Sequence, residues 1–148
     1  MKSVLFAGAC ALALAMPAMA EEWVDYAPQK GVWNVTAVKV DPNHIDDYLT
    51  GLKKVWVPGE EWAKKQGMID AYEVMVNVNA AGGGANVLLI EHLTSFAMMD
   101  PNKKRDQDME KAMLAMMPKD QQSSMVTGFD KYRTFVGQEL WQAVDFTK

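Results

Sequence analysis

The chain has 148 residues, with 15 lysines and arginines against 19 aspartates and glutamates, and a formal net charge of −4 at pH 7. This length suits one domain with a sizeable core, and mild acidity with scattered charges excludes a nucleic-acid-binding surface, which requires a clustered basic stripe. The single cysteine, Cys10, lies within the first 20 residues, so the rest of the chain has neither disulfides nor thiolate ligands.

Residues 1–20 have the three-part pattern of a secretory signal peptide. Lys2 precedes an apolar stretch over residues 4–16, and the small-residue sequence "AMA" comes directly before two glutamates. The stretch is shorter than the roughly 20 apolar residues of a membrane span. We therefore predict cleavage after Ala20, a periplasmic or secreted location, and no stable membrane anchor in the mature chain. Because the leader contains one lysine and no acid, the mature chain has 14 basic and 19 acidic residues and a net charge of −5.

The mature chain opens with a predicted extended arm over residues 21–32, followed by a domain over residues 33–148. A run rich in β-branched residues at 33–40 predicts the first strand of this domain. Asp41 followed by Pro42 is typical of a helix start, because it provides an N-cap and then proline at the first helical position.

The first helix is predicted to be long and aromatic. The proline-glycine step at 58–59 is predicted to interrupt it, and a second helical piece ends at Gly67. The residues that recur at helical spacing are Ile45, Leu49, Leu52 and Trp56, with Tyr48 and Val55 beside them and Trp62 on the second piece.

Two strands joined by a glycine-rich turn form a predicted hairpin. Residues 71–79 alternate strictly between apolar and polar positions, and "AAGGGA" follows as the turn. The next strand, "NVLLIEHLTSF" at 86–96, is built like a sheet-core strand but carries Glu91 and His92 side by side. Neighbouring strand residues point to opposite faces, so each face of the sheet receives one ionisable group.

The second half of the chain repeats the order of helix and strand. A further Asp-Pro step at 100–101 predicts a helix, Pro118 breaks it, another helical piece runs to about Arg133, and residues 139–146 form a last strand. The sequence therefore predicts a ferredoxin-like α+β fold, βαββαβ, with a four-stranded antiparallel sheet and its helices on one face.

A segment of the first half resembles a known superfamily. The sequence "HIDDYLTGLKKVWVPGEEWAKKQGMIDAYEV" at 44–74, with the element order over about residues 33–146, resembles the dimeric α/β-barrel superfamily in its small EthD-like and NIPSNAP-like branches. The resemblance implies a homodimer whose two sheets pack face to face into a barrel, and a ligand pocket between the sheet and helices of one subunit. That superfamily includes cofactor-free monooxygenases, isomerases and haem-binding enzymes. No catalytic motif matches, so no functional residue is transferred.

The hairpin register determines the partners of Glu91 and His92. The preferred register places Val78 opposite Val87, which gives His92 the acidic partner Glu73 and keeps the apolar faces coherent. Glu91 then lies on a valine- and leucine-rich face, either without a partner and with a raised pKa, or beside a cation such as Lys39 or Arg133. A carboxyl group of raised pKa in a cleft is a candidate general acid or base. For His92, the pattern favours a structural, hydrogen-bonded histidine at a dimer interface over a ligand or catalytic role.

These residues define the predicted site. We predict binding, or transformation without a cofactor, of a small apolar or aromatic molecule in a pocket between sheet and helices, and whether the protein is an enzyme stays open. No metal or cofactor is predicted. The candidate catalytic residues are Glu91 and His92, and the candidate ligand-binding residues are Tyr48, Trp56, Trp62, Glu73 and Met113.

Three alternatives stay open at this point. The protein could be a non-enzymatic dimeric module for protein association, in which all these residues are structural. A haem-linked role would use His92 or His44 as the iron ligand. A Cu(I)-binding role would use the thioether sulfurs of methionines as soft ligands, although a helical spacing of methionines is also typical of a core-facing stripe. The methionines concerned are Met98, Met99, Met109, Met113, Met116 and Met117.

Overall fold

The computed structural model describes residues 19–79 and 83–147. The predicted signal peptide lies outside this range except for its last two residues, and so do residues 80–82 of the predicted turn. The strands are β1 (Tyr26–Pro28), β2 (Val32–Val40), β3 (Ile69–Val76), β4 (Val87–Leu93), β5 (Arg133–Trp141) and β6 (Val144–Phe146). The α-helices are α1 (Ile45–Lys65), α2 (Lys103–Met116) and α3 (Lys119–Phe129), and short 3-10 helices cover Pro42–His44 and Phe96–Met99.

Four strands form one antiparallel sheet in the order β3-β4-β2-β5. With α1 between β2 and β3, and α2 and α3 between β4 and β5, this order is the ferredoxin-like βαββαβ arrangement, so the predicted fold class is confirmed. The sheet of a single chain is open and does not close into a barrel. Closure of the kind that the resemblance implies would need a second copy.

The hydrophobic core lies between the sheet and the helices α1 and α3. Alternate residues of β2 and β4 point into it, as the period of a strand requires. The buried members of this core are Val38 and Val40 from β2, Tyr48 and Leu52 from α1, Val87 and Leu89 from β4, and Phe129 at the end of α3.

Helix α1 continues without a break through Pro58, so the predicted interruption at this position is wrong. Proline removes one helical hydrogen bond, but tertiary packing supplies most of a helix's stability in a folded protein. The adjoining Gly59 is buried against α2, where a Cβ atom would lie 3.7 Å from Met113 Sδ and 3.9 Å from Met109 Cε. Met109 and Met113 of α2 therefore pack against α1 at the proline-glycine step, where the sequence predicted an interruption of the helix.

The predicted last strand is also divided differently. β5 begins at Arg133 and pairs with β2, whereas β6 leaves the sheet and pairs with β1 in a separate two-stranded ribbon. A register shift between Ala37 and Val38 interrupts the pairing of β2 with β5. This irregularity disturbs the alternation of β5, which is why the sequence pattern did not reveal its first half.

The hairpin register differs from the prediction by two residues. Val76 pairs with Val87, Tyr72 with Glu91, and Ala71 with His92. The observed register buries Ile69, which is 4% exposed, and leaves Val78 in solvent, at 99% exposed. A shift by an even number of residues preserves the two faces, so Glu91 and His92 still point to opposite sides of the sheet.

Gly51 permits a close approach of α1 and α3. A Cβ atom at this position would lie 2.5 Å from Phe129 Cζ, and the Phe129 ring packs edge to face on Tyr48 with 5.2 Å between centroids. We expect Gly51→Ala to lower the free energy of unfolding by about 1–3 kcal/mol through overpacking, although alanine favours a helix. Urea denaturation measures this loss.

The control is Gly128→Ala in α3, where a Cβ atom meets nothing within 4 Å. This variant should be at least as stable as the wild type, because alanine has the higher helix propensity and the space is open. Equal stabilities of the two alanine variants would show that the core adapts around Phe129.

Candidate functional site

Glu91 lies on the helix-facing side of β4, in the middle of a row of polar groups. Its cross-strand neighbours are Tyr72 in β3 and Asn34 in β2. The Asn34 Nδ2 group lies 3.4 Å from Glu91 Oε2 as donor, and Gln138 Nε2 donates to Asn34 Oδ1 at 2.7 Å. The Gln138 contact holds the Asn34 amide with its N–H groups turned to the carboxylate.

Glu60 of α1 is the second carboxyl group of this layer. It is 8% exposed, and burial raises its pKa from 4.5 to about 8, with the charge of Glu91 as the second cause. Burial also raises the pKa of Glu91, while hydrogen bonding from the Asn34 amide and the Trp56 indole opposes that rise. At neutral pH Glu60 therefore holds a proton beside Glu91.

Tyr72 and Trp56 lie beside the two carboxyl groups and connect β3 with α1. The Tyr72 hydroxyl donates to Glu61 Oε1 at 2.6 Å, and this hydrogen bond is the main cause of a raised Tyr72 pKa. The Trp56 and Tyr72 rings meet edge to face, with 5.6 Å between centroids. We refer to Glu60 and Glu91 as the carboxyl pair, and these two aromatic side chains form its apolar border.

The cations proposed as partners of Glu91 lie elsewhere. Lys39 is exposed on the opposite face of β2 from the buried Val38 and Val40. The Arg133 guanidinium lies among aromatic rings, 4.7 Å from the Phe135 centroid and 4.9 Å from that of Phe129. Neutral donors and a protonated carboxyl group therefore surround Glu91 in place of a cation.

The predicted ligand-binding residues do not form one pocket. Tyr48 is fully buried in the core, and Trp62 lines a cavity of about 270 Å³ between α1 and the start of α2. Met113 lines a cavity of about 20 Å³ against Pro58. Trp56 alone of this set lies at the carboxyl pair. The structure therefore distributes the candidate ligand-binding residues over several places, and their role in binding stays a prediction.

A cavity of about 580 Å³ lies on the other face of the sheet, which we call the open face. Glu73, predicted as the partner of His92, is exposed at its edge and pairs with Ile90. The cavity is lined by strand residues from all four strands: Trp33, Val35, Ala37, Glu73, Met75, Leu88, Ile90, Val136, Gly137, Glu139 and Trp141.

His92 lies at one end of the open face and is held by three contacts. Its Nδ1 lies 2.6 Å from Asp70 Oδ1, so Asp70 and not Glu73 is its acidic partner. Its ring packs on Trp33 at 4.5 Å between centroids. Its Nε2 lies against Gly31, where a Cβ atom would be 2.8 Å away. These contacts fix the ring and favour the structural interpretation of His92.

His44 and the methionines also have local packing partners. His44 Nδ1 lies 2.9 Å from Asp47 Oδ2, and its ring stacks on Tyr132. Met109 and Met113 fill the space at Gly59. Within residues 19–79 and 83–147, no group of three or more histidine, cysteine, aspartate or glutamate side chains is placed to hold a metal ion. Over the same residues, no helix combines the length and the hydropathy of a membrane span.

Glu60 and Asn34 were not identified from the sequence. Glu60 lies four residues after Trp56 and three before Ala63, so it falls on the core-facing stripe of α1. The sequence signal that could have identified Glu60 was a charged residue at a core-facing position of α1. Asn34 lies on the same face of β2 as the buried Val32 and Val38, and a polar residue on this face is equally unexpected.

Comparison with known proteins identifies structural relatives but no family. No family model matches the sequence, and no curated protein matches it. HapK from Hahella chejuensis has 12% identity and a TM-score of 0.42, over 76% of this chain and 91% of that one. A dimeric ferredoxin-like protein from an uncultured marine organism has 8% identity and a TM-score of 0.43, over 81% and 91%.

A NIPSNAP family protein of unknown function from Agrobacterium tumefaciens has 10% identity and a TM-score of 0.41, over 79% of this chain and 89% of that one. At such identities the comparison concerns the fold alone. The chain is similar in its fold to small ferredoxin-like proteins, a NIPSNAP family protein among them.

Proposed function

We propose that the protein binds a small apolar or aromatic molecule at the carboxyl pair, or transforms it there without a cofactor. The observation that supports this proposal is the burial of Glu60 beside Glu91 in the layer between α1 and the sheet. Glu60 is buried and Glu91 is half-buried. Because removing a carboxyl group from water is costly unless it is paired or neutralised, this arrangement supports a role beyond packing.

The pair has the properties needed for proton transfer. Glu60, with a pKa of about 8, is a proton donor at neutral pH, and Glu91, held by Asn34, is the proton acceptor. The rings of Trp56 and Tyr72 would contact the apolar body of a ligand. Entry would require the Tyr72 side chain to leave Glu61, because their hydrogen bond joins β3 to α1 at the border of the pair.

A ligand screen by thermal shift tests this proposal. We expect compounds that stabilise the wild type by RT ln(1 + [L]/Kd) to lose this effect in Glu60→Gln and Glu91→Gln. The matched control is Glu110→Gln, which changes an exposed glutamate on α2 and should retain the full shift. If every stabilising compound acts equally on all four proteins, the carboxyl pair is not the binding site.

The open face favours a second function, association of two copies. Its floor is apolar, and large side chains on it are solvent-exposed in the single chain, including Met75 at 48%, Val136 at 56% and Trp141 at 57%. Contiguous apolar surface of this kind is typical of protein interfaces. We propose that the open faces of two copies pack together, which would produce a homodimer and exclude water from the cavity.

Charge placed on the open face should dissociate this dimer. The double variant Met75→Glu/Val136→Glu changes two exposed side chains, so each chain should fold normally, and like charges would be buried if the faces still met. Sedimentation equilibrium should show a dimer for the wild type and a monomer for this variant. Val126→Glu, at an exposed position on α3, is the control and should remain dimeric. A dimeric double variant would place the interface elsewhere.

We also propose a periplasmic or secreted location, on the pattern of residues 1–20. Expression of the full chain in a Gram-negative host, followed by N-terminal sequencing of the periplasmic fraction, should give a protein that begins at Glu21. Retention of Met1 in a cytoplasmic product would contradict this location.

A further inference from the structure

The strands β1 and β6, with the turn before β1, form an ordered ribbon that carries several exposed apolar side chains. β1 and β6 pair in antiparallel register from Tyr26 opposite Phe146 to Pro28 opposite Val144. Among the residues that the structure describes, Phe146 is 83% exposed and Trp23 is 69% exposed, with Val24 at 59% and Val144 at 44%.

The exposure of these side chains is not a consequence of fraying. Gln29 Nε2 donates to Asp145 Oδ1 at 2.7 Å, and Gln29 N donates to the Ala143 carbonyl at 2.8 Å. Thr147 N donates to the Asp25 carbonyl at 3.0 Å, so hydrogen bonds continue beyond the paired strands. The ribbon is therefore a fixed element that holds its apolar side chains outward.

Trp23 lies in a turn that hydrogen bonds of its own chain close, because Val24 N and Asp25 N both donate to the Glu21 carbonyl. Its φ of 68° lies in the left-handed region, where a bulky residue is strained, and its amide donates to the Tyr26 carbonyl at 2.6 Å. Such strain persists when other contacts compensate for it. Within the chain the indole makes few contacts, because most of its surface is exposed. The hydrogen bonds of the turn compensate for the strain, and the turn holds the indole outward, where a partner surface can contact it.

The ribbon is continuous with the open face. Trp141, the last residue of β5, lines the open-face cavity, and β6 begins three residues later at Val144. Only Gln142 and Ala143 separate the two strands, so the ribbon is attached beside the Trp141 end of the open face. Glu21, Glu22 and Asp25 border the ribbon, and this negative charge disfavours an anionic membrane surface as the occupant.

We propose that the β1–β6 ribbon is a second docking surface for the partner copy, and that it packs on the other protomer when the open faces meet. The inference rests on the proposed homodimer and goes beyond it, because it assigns a role to an element outside the four-stranded sheet. In this arrangement the ribbon packs against the partner, and Trp23 becomes an interface anchor.

Sedimentation equilibrium of a ribbon variant tests the inference. The double variant Trp23→Ser/Phe146→Ser should raise the dissociation constant of the dimer by about tenfold or more. The reason is that aromatic anchors contribute much of the free energy of an interface. Phe96→Ser removes a similarly exposed aromatic, 52% exposed, from outside both surfaces and should leave the dissociation constant unchanged. Circular dichroism and the melting temperature of the diluted monomers show whether the variants fold.

The outcomes separate the two proposals. If Met75→Glu/Val136→Glu dissociates the dimer and the ribbon variant has the wild-type dissociation constant, the open-face dimer stands and the ribbon inference is overturned. If the ribbon variant weakens a dimer that the open-face variant leaves intact, the ribbon is an interface and the open face is not. A monomeric wild type, or binding of the ribbon to phosphatidylglycerol vesicles without any effect on association, overturns the inference.

Discussion

Replacement of Glu60 by glutamine should remove a pH dependence of stability that the wild type shows between about pH 5 and 8. Glu60 has a folded-state pKa of about 8 against an ordinary value of 4.5. In this window the unfolded chain releases the proton and the folded chain retains it. Stability is therefore greatest below the ordinary pKa and falls as pH rises through the folded pKa.

The expected loss in the free energy of unfolding is on the order of 2 kcal/mol. This is less than the full pKa shift implies, because local relaxation and some access of water reduce the cost of a charged Glu60. Burial raises the pKa of Glu91 as well, so its contribution has the same sign. The measurement is urea denaturation of wild type and Glu60→Gln at several values between pH 5.5 and 9, with the slopes against pH compared, since a buried amide has its own desolvation cost.

The matched control is again Glu110→Gln, which should retain the wild-type slope. In Glu60→Gln the free energy of unfolding should change much less with pH. The stability of this variant relative to the wild type should therefore increase towards pH 9. A wild-type stability that stays constant or rises between pH 6 and 9 would show that Glu60 is ionised in the folded protein at neutral pH.

Asn86→Ala is expected to produce the largest loss of stability among neutral substitutions, about 2–4 kcal/mol. Asn86 is 6% exposed and precedes β4. Its Oδ1 accepts a hydrogen bond from Val40 N, and its Nδ2 donates to the Val40 carbonyl, both at 2.7 Å. The side-chain amide thus continues the β2–β4 ladder beyond its last backbone pair, Val38 with Val87.

Alanine at this position leaves a buried N–H and a buried carbonyl of Val40 without these partners, and each incurs a desolvation penalty. The control is Asn77→Ala, because the Asn77 Oδ1 also accepts from a backbone amide, Asn79 N at 2.9 Å, but in an exposed turn. It should lose less than about 1 kcal/mol, since water replaces the exposed contact. Urea denaturation compares the two. A loss below about 0.5 kcal/mol for Asn86→Ala would mean that water satisfies Val40 equally well.

The fold class was predictable because its signals are local. The β-branched run of β2, the alternation of β3, the Asp-Pro helix start and the apolar spacing of α1 each follow from backbone geometry within one element. The errors arose where distant parts of the chain compete. Burial of Ile69 against Leu93 shifted the hairpin register, and packing of Met109 and Met113 at Gly59 kept α1 continuous.

For the same reason, only one of the two carboxyl groups of the candidate site was identified from the sequence. Glu91 was identifiable as a carboxylate on an apolar face of a strand, but its partner depends on how α1 lies across the sheet. Glu60 is 31 positions away in the chain, and only the tertiary packing brings the two carboxyl groups together. His92 was assigned to Glu73 on a register that was two residues out, and Asp70 proved to be the partner.

The sequence by itself determined the order of elements, which strand residues share a face, and the presence of ionisable groups on both sides of β4. These properties depend on period-2 and period-3.6 repeats, which any short segment expresses independently of the rest. The tertiary structure decided which side chains pair, where the cavities lie, and that β1 and β6 form a separate ribbon. Those outcomes depend on competition for burial and hydrogen bonds among residues far apart in sequence, and a local pattern carries no information about that competition.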